Sequence, residues 1–204
     1  MAEARRVLIT GASSGIGRHA ARRMEQEGHR LTLICRNHQR AAETLDWIDP
    51  TTRVLEADLA DLEQVDTLCA TLLQEQEPID ALVLNAGLQY AGHRQPRWSR
   101  QGIELTLAVN HLAHQLMLMR LLPLLLQADE PRVVITASEV HHPTSGGGRV
   151  GSPAGLGDLA GLRSGAGSAM VDGKERFDAD KAYKDSKLCN LLMGQELARN
   201  QPRL

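Results

Sequence analysis

Residues 7–17 read VLITGASSGIG, an apolar run that passes directly into a glycine-rich turn. Glycine permits a tight turn and a close backbone approach, and the helix that opens here offers free N–H groups and a positive dipole end to a pyrophosphate. Glycines also occur in such turns for steric reasons alone, but the position of this turn directly after the first strand favours dinucleotide binding. The predicted contacts are Gly11, Ser13, Ser14, Gly15, Ile16 and Gly17.

Further apolar runs follow this turn, and helix-like stretches separate them. The predicted strands are 7–10, 31–35, 54–57, 81–84 and 133–136, and the predicted helices are 15–27, 39–47, 62–76, 101–126 and 179–200. The runs are almost continuously apolar, as strands that are buried on both faces must be. This alternation predicts an α/β fold of the Rossmann type, with a doubly wound parallel sheet, and the length predicts a single domain over residues 1–204. Between 143 and 178 the abundance of glycine predicts a long loop.

The composition argues against several classes of function. The formal net charge is −2, so the chain lacks the basic footprint of a nucleic-acid-binding protein. The most apolar run, 116–126, is shorter than the roughly 20 residues that a membrane-spanning helix needs. Such a run is typical of a core helix or of a subunit interface. The second alternative would imply a homo-oligomer. The polar start at 1–6 predicts no leader segment, and we expect a cytoplasmic protein.

The cysteines and histidines do not form a metal-binding pattern. Cys35, Cys69 and Cys189 lie far apart and include no C-x-x-C pair, which favours buried thiols over a disulfide framework or a zinc site. His111 and His114 are three apart on a predicted helix, but neither has an acidic or cysteine partner at zinc-ligand spacing. We therefore predict no metal site.

The second predicted strand ends in Cys35-Arg36-Asn37, about twenty residues after the glycine-rich turn. In a dinucleotide-binding fold this position sets the ribose specificity. An acidic side chain binds the 2′-hydroxyl of NAD, whereas an arginine pairs with the 2′-phosphate of NADP. A solvated arginine at a strand end is the alternative. Because the glycine-rich turn lies upstream, we favour NADP as the cofactor and expect Arg36 and Asn37 to contact it.

Three further motifs stand after predicted strands or in the helix that follows them: Asp58-Leu59, Asn85-Ala86-Gly87 and Asn110. Together with the glycine spacing, their order resembles the short-chain dehydrogenase/reductase family over nearly the whole chain. The resemblance implies that the first motif contacts the adenine and that the second forms a turn on the cofactor side. It implies that Asn110 is the structural asparagine of the active-site tetrad.

The last predicted helix carries Tyr183-Lys184-Asp185-Ser186-Lys187. Residues four apart lie on one face of a helix, so the Tyr183 hydroxyl and the Lys187 ammonium can converge on one site. The pKa of an unperturbed tyrosine is about 10, and a neighbouring ammonium favours the phenolate, so we expect Tyr183 to exchange a proton with the substrate. The family resemblance implies that Lys187 also holds the nicotinamide ribose. It implies that Ser138, after the fifth strand, orients the substrate or the tyrosine hydroxyl.

Within the family, residues 178–190 are similar to the light-dependent protochlorophyllide reductases, as are two short segments of the preceding loop. In those enzymes NADPH reduces a ring double bond of a pigment, so the resemblance implies a pigment substrate. Residues 96–99 depart from the pattern, and retinol-dehydrogenase-like members share 35–37 and 110–112. A carbonyl reductase that acts on an apolar substrate is therefore the alternative.

Family members ordinarily continue beyond the tyrosine helix into further strands. This sequence stops at Leu204, soon after Lys187, and we expect the sheet to lack the C-terminal strands of the family. A truncated, non-catalytic nucleotide-binding module is therefore a third hypothesis.

Overall fold

The computed structural model describes residues 3–204 and contains a wholly parallel sheet. Its strands are β1 Arg6–Thr10, β2 Arg30–Cys35, β3 Arg53–Glu56, β4 Ala81–Leu84 and β5 Arg132–Ile135. Their spatial order is β3-β2-β1-β4-β5, so the predicted Rossmann-type sheet is confirmed, and each predicted strand lies within one residue of the observed bounds. The prediction that no leader precedes the fold falls partly on Met1 and Ala2, which lie outside the described residues.

The helices in the described part of the chain are α1 Gly15–Gln26, α2 His38–Leu45, α3 Leu62–Glu75, α4 Leu105–Leu107, α5 Ala113–Leu125, α6 Ala160–Arg163 and α7 Ala179–Asn200. A π-helical turn, Ala108–Leu112, joins α4 to α5, and a 3₁₀ turn spans Glu139–His141. None of the helices within residues 3–204 is both long and apolar enough to cross a membrane.

The helix predicted over 101–126 is wrong at its start, because α4 begins at Leu105. The Glu104 carboxylate accepts hydrogen bonds from the N–H groups of Thr106 and Leu107, each at 2.9 Å, and so caps the helix. Gly102, whose φ is +71°, forms a turn just before this cap. The apolar periodicity of 101–126 does not reveal a cap made by a buried glutamate.

Both faces of the central strands β1, β2 and β4 are covered, which is why these strands are mainly apolar. In β1, Leu8 joins a core cluster that contains side chains of α3, α5 and α7. Val7 and Ile9 point to the opposite face and pack in a second cluster with Ala21 of α1. Successive residues of one strand thus serve two separate cores, as the alternation of side chains in a strand requires.

The central strand β1 pairs with both β2 and β4. The chain runs outward from β1 through β2 and β3, and it then returns to the other side of β1 as β4. This reversal opens a crevice at the carboxyl ends of β1 and β4, where open α/β sheets bind their ligands. Within residues 3–204 no strand follows β5, whose Val134 is half-exposed.

The long loop predicted at 143–178 contains the short helix α6 and is fastened to α7 by buried lysines. Lys181 of α7 forms an ion pair with Asp172 of the loop at 3.2 Å and donates a hydrogen bond to the Gly155 carbonyl at 2.7 Å, while Asp185 of the same helix lies 2.6 Å from its ammonium. The ammonium of Lys184 donates hydrogen bonds to three carbonyl groups of this loop, those of Gly148, Val150 and Ser152. The loop is therefore held against the helix that carries the predicted catalytic pair.

Candidate functional site

A crevice with a volume of about 820 Å³ opens at the carboxyl ends of the strands. Cofactor sites in proteins typically have volumes of about 300–1,000 Å³. Residues at the ends of all five strands and residues of α7 line the crevice. The predicted site residues that line it are Gly11, Ser13, Ser14, Gly15, Ile16, Gly17, Arg36, Asp58, Leu59, Asn85, Ala86, Gly87, Tyr183 and Lys187.

Gly11 and Gly17 of the glycine-rich turn pack closely against neighbouring backbone and the end of β4, without room for a side chain. A Cβ atom on Gly11, whose φ is +73°, would lie 2.7 Å from the Ala86 Cα, and one on Gly17 would collide with the Gly11 carbonyl and the Asn85 amide. Bare backbone therefore borders the crevice where α1 begins. Ser14, the N-cap of α1, makes no side-chain capping hydrogen bond within the described chain. The first N–H groups of α1 are therefore available to an anionic ligand.

Two arginines border the crevice where β2 ends and α2 begins. Arg36 was predicted there, whereas sequence reasoning missed Arg40, although its position one helical turn further along was a signal. Arg40 also donates to the Glu43 carboxylate at 2.9 Å. Asn37 does not line the crevice; its Oδ1 accepts a hydrogen bond from the Arg40 N–H at 3.0 Å and caps α2. Two guanidinium groups provide the charge and the planar donors that suit a phosphate.

The turn between β3 and α3 presents Asp58 and Leu59 to the crevice. Asp58 Oδ1 accepts a hydrogen bond from the Ala60 N–H at 2.9 Å, and the Asp58 N–H donates to Gln64 Oε1 at 3.0 Å. These bonds fix the conformation of the turn, so the two predicted adenine contacts stand beside the arginines of the neighbouring strand end.

The turn at residues 85–87 forms the floor of the crevice. Thr10 Oγ1 accepts hydrogen bonds from the N–H groups of Asn85 and Ala86, each at 3.0 Å. The Asn85 amide nitrogen donates in return to the carbonyl oxygens of Thr10, at 3.2 Å, and of Gly11, at 3.4 Å. The end of β1 and the end of β4 are thus bonded together directly beneath the crevice.

Two predicted active-site residues do not line the crevice. Asn110 is completely buried; its Oδ1 accepts from the Leu88 N–H at 2.8 Å, and its amide nitrogen donates to the Leu88 carbonyl at 3.0 Å and to Ser186 Oγ at 3.1 Å. Asn110 therefore holds the chain just beyond the crevice floor. Ser138 stands at the start of the 3₁₀ turn, where its Oγ lies 3.5 Å from the Val140 nitrogen.

Tyr183 and Lys187 lie on one side of α7, and both line the crevice. The Lys187 Nζ is 5.5 Å from the centre of the Tyr183 ring and donates a hydrogen bond to the Thr136 carbonyl at 3.0 Å. Burial lowers the pKa of Lys187 from its ordinary value. The Thr136 carbonyl, at the end of β5, thus orients the Lys187 ammonium beside the tyrosine. The four-residue spacing of Tyr183 and Lys187 predicted that the two side chains lie on one side of the helix.

The family model described as short chain dehydrogenase matches residues 5–150, which include the glycine-rich turn and the crevice floor. The chain belongs to the short chain dehydrogenase family. Protochlorophyllide reductase of Avena sativa is 39% identical over 203 residues, which cover 95% of this chain and 65% of that protein. Protochlorophyllide reductase A, chloroplastic, of Oryza sativa subsp. japonica is 39% identical and is covered over 52% of its length. This short chain dehydrogenase therefore spans about half to two thirds of the length of these curated relatives.

Solved structures agree with the family and the fold. A protein from Mycobacterium paratuberculosis superposes with a TM-score of 0.74 and 26% identity, over 97% of this chain and 63% of that one. A short chain dehydrogenase from Shigella flexneri 2a, solved in complex with NADP, has a TM-score of 0.70 and 26% identity over 98% of this chain and 73% of that one.

Titratable groups of this short chain dehydrogenase that lie outside the crevice are strongly affected by burial. Cys69 and Cys189 are buried, and this burial raises the pKa of Cys69 to about 12 and that of Cys189 to about 11, so both thiols stay protonated at neutral pH. Burial lowers the pKa of His114 to about 4, and the charges of Lys187 and His111 add to this effect. Within residues 3–204, no group of three or more histidine, cysteine or acidic side chains is arranged to hold a metal ion.

The stability of the protein is expected to fall between pH 7 and pH 4.5 because of His114. In the unfolded chain a histidine takes up a proton near pH 6.5, whereas folded His114 stays neutral until about pH 4. Its contribution is thus present above pH 6.5 and is lost as the pH falls, by about 2 kcal/mol at pH 4.5. Urea unfolding at both pH values should show this extra loss in the wild type relative to His114→Gln. Equal losses in the two proteins would contradict the prediction.

Proposed function

We propose that this chain is the NADP-binding and catalytic part of a reductase of the protochlorophyllide-reductase type. The observation that carries the proposal is that one crevice has Arg36 and Arg40 beside one strand end and Tyr183 and Lys187 beside another. The arginines suit a 2′-phosphate, and the tyrosine–lysine pair suits proton transfer. The solved NADP complex of a family member supports this choice of cofactor.

The crevice fits NADP in its shape as well as in its charge. The glycine-rich turn leaves a cradle of bare backbone at the start of α1, and a Cβ atom at Gly11 or Gly17 would disturb its packing by colliding with Ala86, Asn85 or the Gly11 carbonyl. A pyrophosphate suits this cradle because free N–H groups and the positive end of the α1 dipole meet there. We propose that Asp58 and Leu59 contact the adenine and that Lys187 holds the nicotinamide ribose.

When bound, NADPH supplies a hydride to the substrate. The protein supplies the proton: the Tyr183 hydroxyl donates it to the atom that becomes electron-rich, and a phenolate remains. The Lys187 ammonium stabilises that phenolate through its positive charge, because a neighbouring cation favours the charged form of an acid. The hydrogen bond from Lys187 to the Thr136 carbonyl, at 3.0 Å, keeps the ammonium in place during this transfer.

A pigment of the protochlorophyllide class is the substrate that we propose. The identity of 39% with a protochlorophyllide reductase over 95% of the chain supports it, and so does the loop at 143–178 that is held against α7. Several plant relatives are named as chloroplastic proteins. The cytoplasmic location that the sequence suggests for this chain stays a prediction.

A carbonyl reductase that acts on an apolar substrate is the second candidate. The observation that favours it is the segment 96–99, which departs from the protochlorophyllide-reductase pattern and places the 42% exposed Trp98 on the surface. Such an enzyme would reduce aldehydes or ketones in the dark with the same tyrosine–lysine pair.

Illumination separates these candidates. Full-length protein, NADPH and protochlorophyllide are mixed in the dark, and the absorption spectrum is followed before and after a light pulse. The proposal predicts pigment reduction only after illumination and only with NADPH. Dark consumption of NADPH with apolar aldehydes, without any pigment conversion, would establish the carbonyl reductase instead. Binding of NADPH without turnover in either assay would identify a non-catalytic nucleotide-binding module.

A further inference from the structure

A buried histidine connects the floor of the crevice to the π-helical turn. His114, on α5, is 0% exposed and is not part of the crevice lining. Its Nε2 lies 2.9 Å from Thr10 Oγ1, and its Nδ1 lies 3.1 Å from the Asn110 carbonyl oxygen. Buried polar groups of this kind are costly unless they are fully paired. Both ring nitrogens of His114 have a partner.

The partners determine which ring nitrogen carries the proton. A carbonyl oxygen can only accept a hydrogen bond, so the proton of the neutral ring must be on Nδ1, which donates to Asn110. The Nε2 is then an acceptor, and the Thr10 hydroxyl donates to it at 2.9 Å in preference to the Val83 carbonyl, which lies farther away at 3.4 Å. This arrangement leaves the lone pairs of the Thr10 oxygen for the N–H groups of Asn85 and Ala86, which donate to it at 3.0 Å each.

His114 is connected by hydrogen bonds to both ends of the segment 85–88, which includes the crevice floor. Through Thr10 it orients the oxygen that binds the amides of Asn85 and Ala86. Through the Asn110 carbonyl it contacts the residue whose side chain makes two hydrogen bonds to the backbone of Leu88. The four residues 85–88 all line the crevice. A single buried side chain thus links the two anchors of this segment.

We infer that His114 is a positioning residue for the cofactor crevice: as the neutral Nδ1–H tautomer, it ties the Thr10 hydroxyl to the Asn110 carbonyl and so fixes residues 85–88. The role in cofactor binding rests on the proposed function. The hydrogen bonds of His114 involve only groups of the protein, so they can be measured without any ligand.

Two substitutions of His114 separate its two contacts. The amide nitrogen of asparagine stands where Nδ1 does, so His114→Asn keeps the bond to the Asn110 carbonyl and loses the acceptor for Thr10. The longer side chain in His114→Gln places an amide oxygen near the position of Nε2 and keeps that acceptor. Hydrogen exchange at the amides of Asn85 and Ala86 is expected to accelerate about 10-fold in His114→Asn and to stay near the wild-type rate in His114→Gln. Amides of β3, which is remote from the contact, provide the internal reference.

Cofactor affinity and the ring tautomer provide independent readouts in the full-length protein. The Kd for NADPH is expected to rise about 3- to 10-fold in His114→Asn relative to His114→Gln, with kcat changed less than Kd. The ¹⁵N chemical shifts of the wild-type His114 ring should show the neutral Nδ1–H form at pH 7. An Nε2–H or doubly protonated ring, or the same exchange rates at Asn85 and Ala86 in both variants, would overturn the inference.

A second pair of variants covers the case in which His114→Asn does not fold. Thr10→Ser keeps the hydroxyl and Thr10→Val removes it with little change in shape, so only the valine variant should shift the ¹⁵N resonance of His114 Nε2, which loses its donor, in addition to accelerating exchange at Asn85 and Ala86. The same Nε2 resonance in Thr10→Val and Thr10→Ser would also overturn the inference. If wild-type protein does not bind NADPH, the proposed function fails, and the exchange and tautomer measurements still decide whether His114 fixes the turn.

Discussion

Replacing Tyr183 with phenylalanine is expected to lower the turnover rate of the full-length protein by about 10²- to 10⁴-fold. The change removes the hydroxyl that donates the proton and keeps the ring that borders the crevice beside Lys187. The Kd for NADPH should therefore stay within about threefold of the wild-type value, because the arginines and the glycine-rich turn are untouched. Turnover is measured with whichever substrate the wild type reduces, and Kd is measured by NADPH fluorescence.

Tyr90→Phe is the matched control, because the sequence contains two tyrosines and this one lies outside the crevice lining. Its hydroxyl donates to Glu104 Oε1 at 2.5 Å, and its ring stacks on Phe177. Loss of that hydroxyl should lower the stability and leave the rate per folded molecule near that of the wild type. A Tyr183→Phe enzyme that retained more than half of the wild-type rate would show that another group donates the proton.

Replacing Arg36 with glutamate is expected to weaken NADPH binding by roughly 10- to 100-fold, which corresponds to the loss of charge-assisted hydrogen bonds to the 2′-phosphate. NADH lacks this phosphate, and a carboxylate at this position can bind its 2′-hydroxyl. The Kd for NADH should therefore stay the same or fall. Fluorescence titration of both cofactors against the wild type and the variant measures the change in preference.

Arg30→Glu is the control for Arg36→Glu. Arg30 starts β2 and is exposed, whereas Arg36 follows the other end of the same strand, so the two variants change the net charge equally. Arg30→Glu should leave both Kd values within about twofold, because an exposed charge far from the crevice is screened by salt. An equal loss of NADPH affinity in the two variants would mean that Arg36 acts only through the overall charge.

Local patterns were sufficient to predict the sheet and the glycine-rich turn. The central strands are short apolar runs because both of their faces are buried, so these runs can be recognised in the sequence without reference to distant residues. The turn at Gly11 and Gly17 is also local, since its backbone must approach β4 closely. The spacing of Tyr183 and Lys187 predicted their common side of α7 for the same reason.

The remaining features depend on contacts between residues that are far apart in the sequence. His114 is an ordinary helix residue by periodicity, and only the fold brings it to Thr10. In the sequence, Lys184 resembles a surface lysine between the two predicted catalytic residues, but the loop at 143–178 surrounds its ammonium with carbonyl groups. The late start of α4 depends on the carboxylate of Glu104, whose buried position is not visible in the apolar pattern.

A titration of the full-length wild-type protein with NADPH, alongside NADH, tests the central claim most directly. That claim is that one crevice pairs Arg36 and Arg40 with the 2′-phosphate and places the nicotinamide near Tyr183 and Lys187. It predicts saturable binding of one NADPH per chain, with a Kd at least about 10-fold lower than that for NADH. Failure of NADPH to bind, or a Kd for NADH equal to or below that for NADPH, would contradict it.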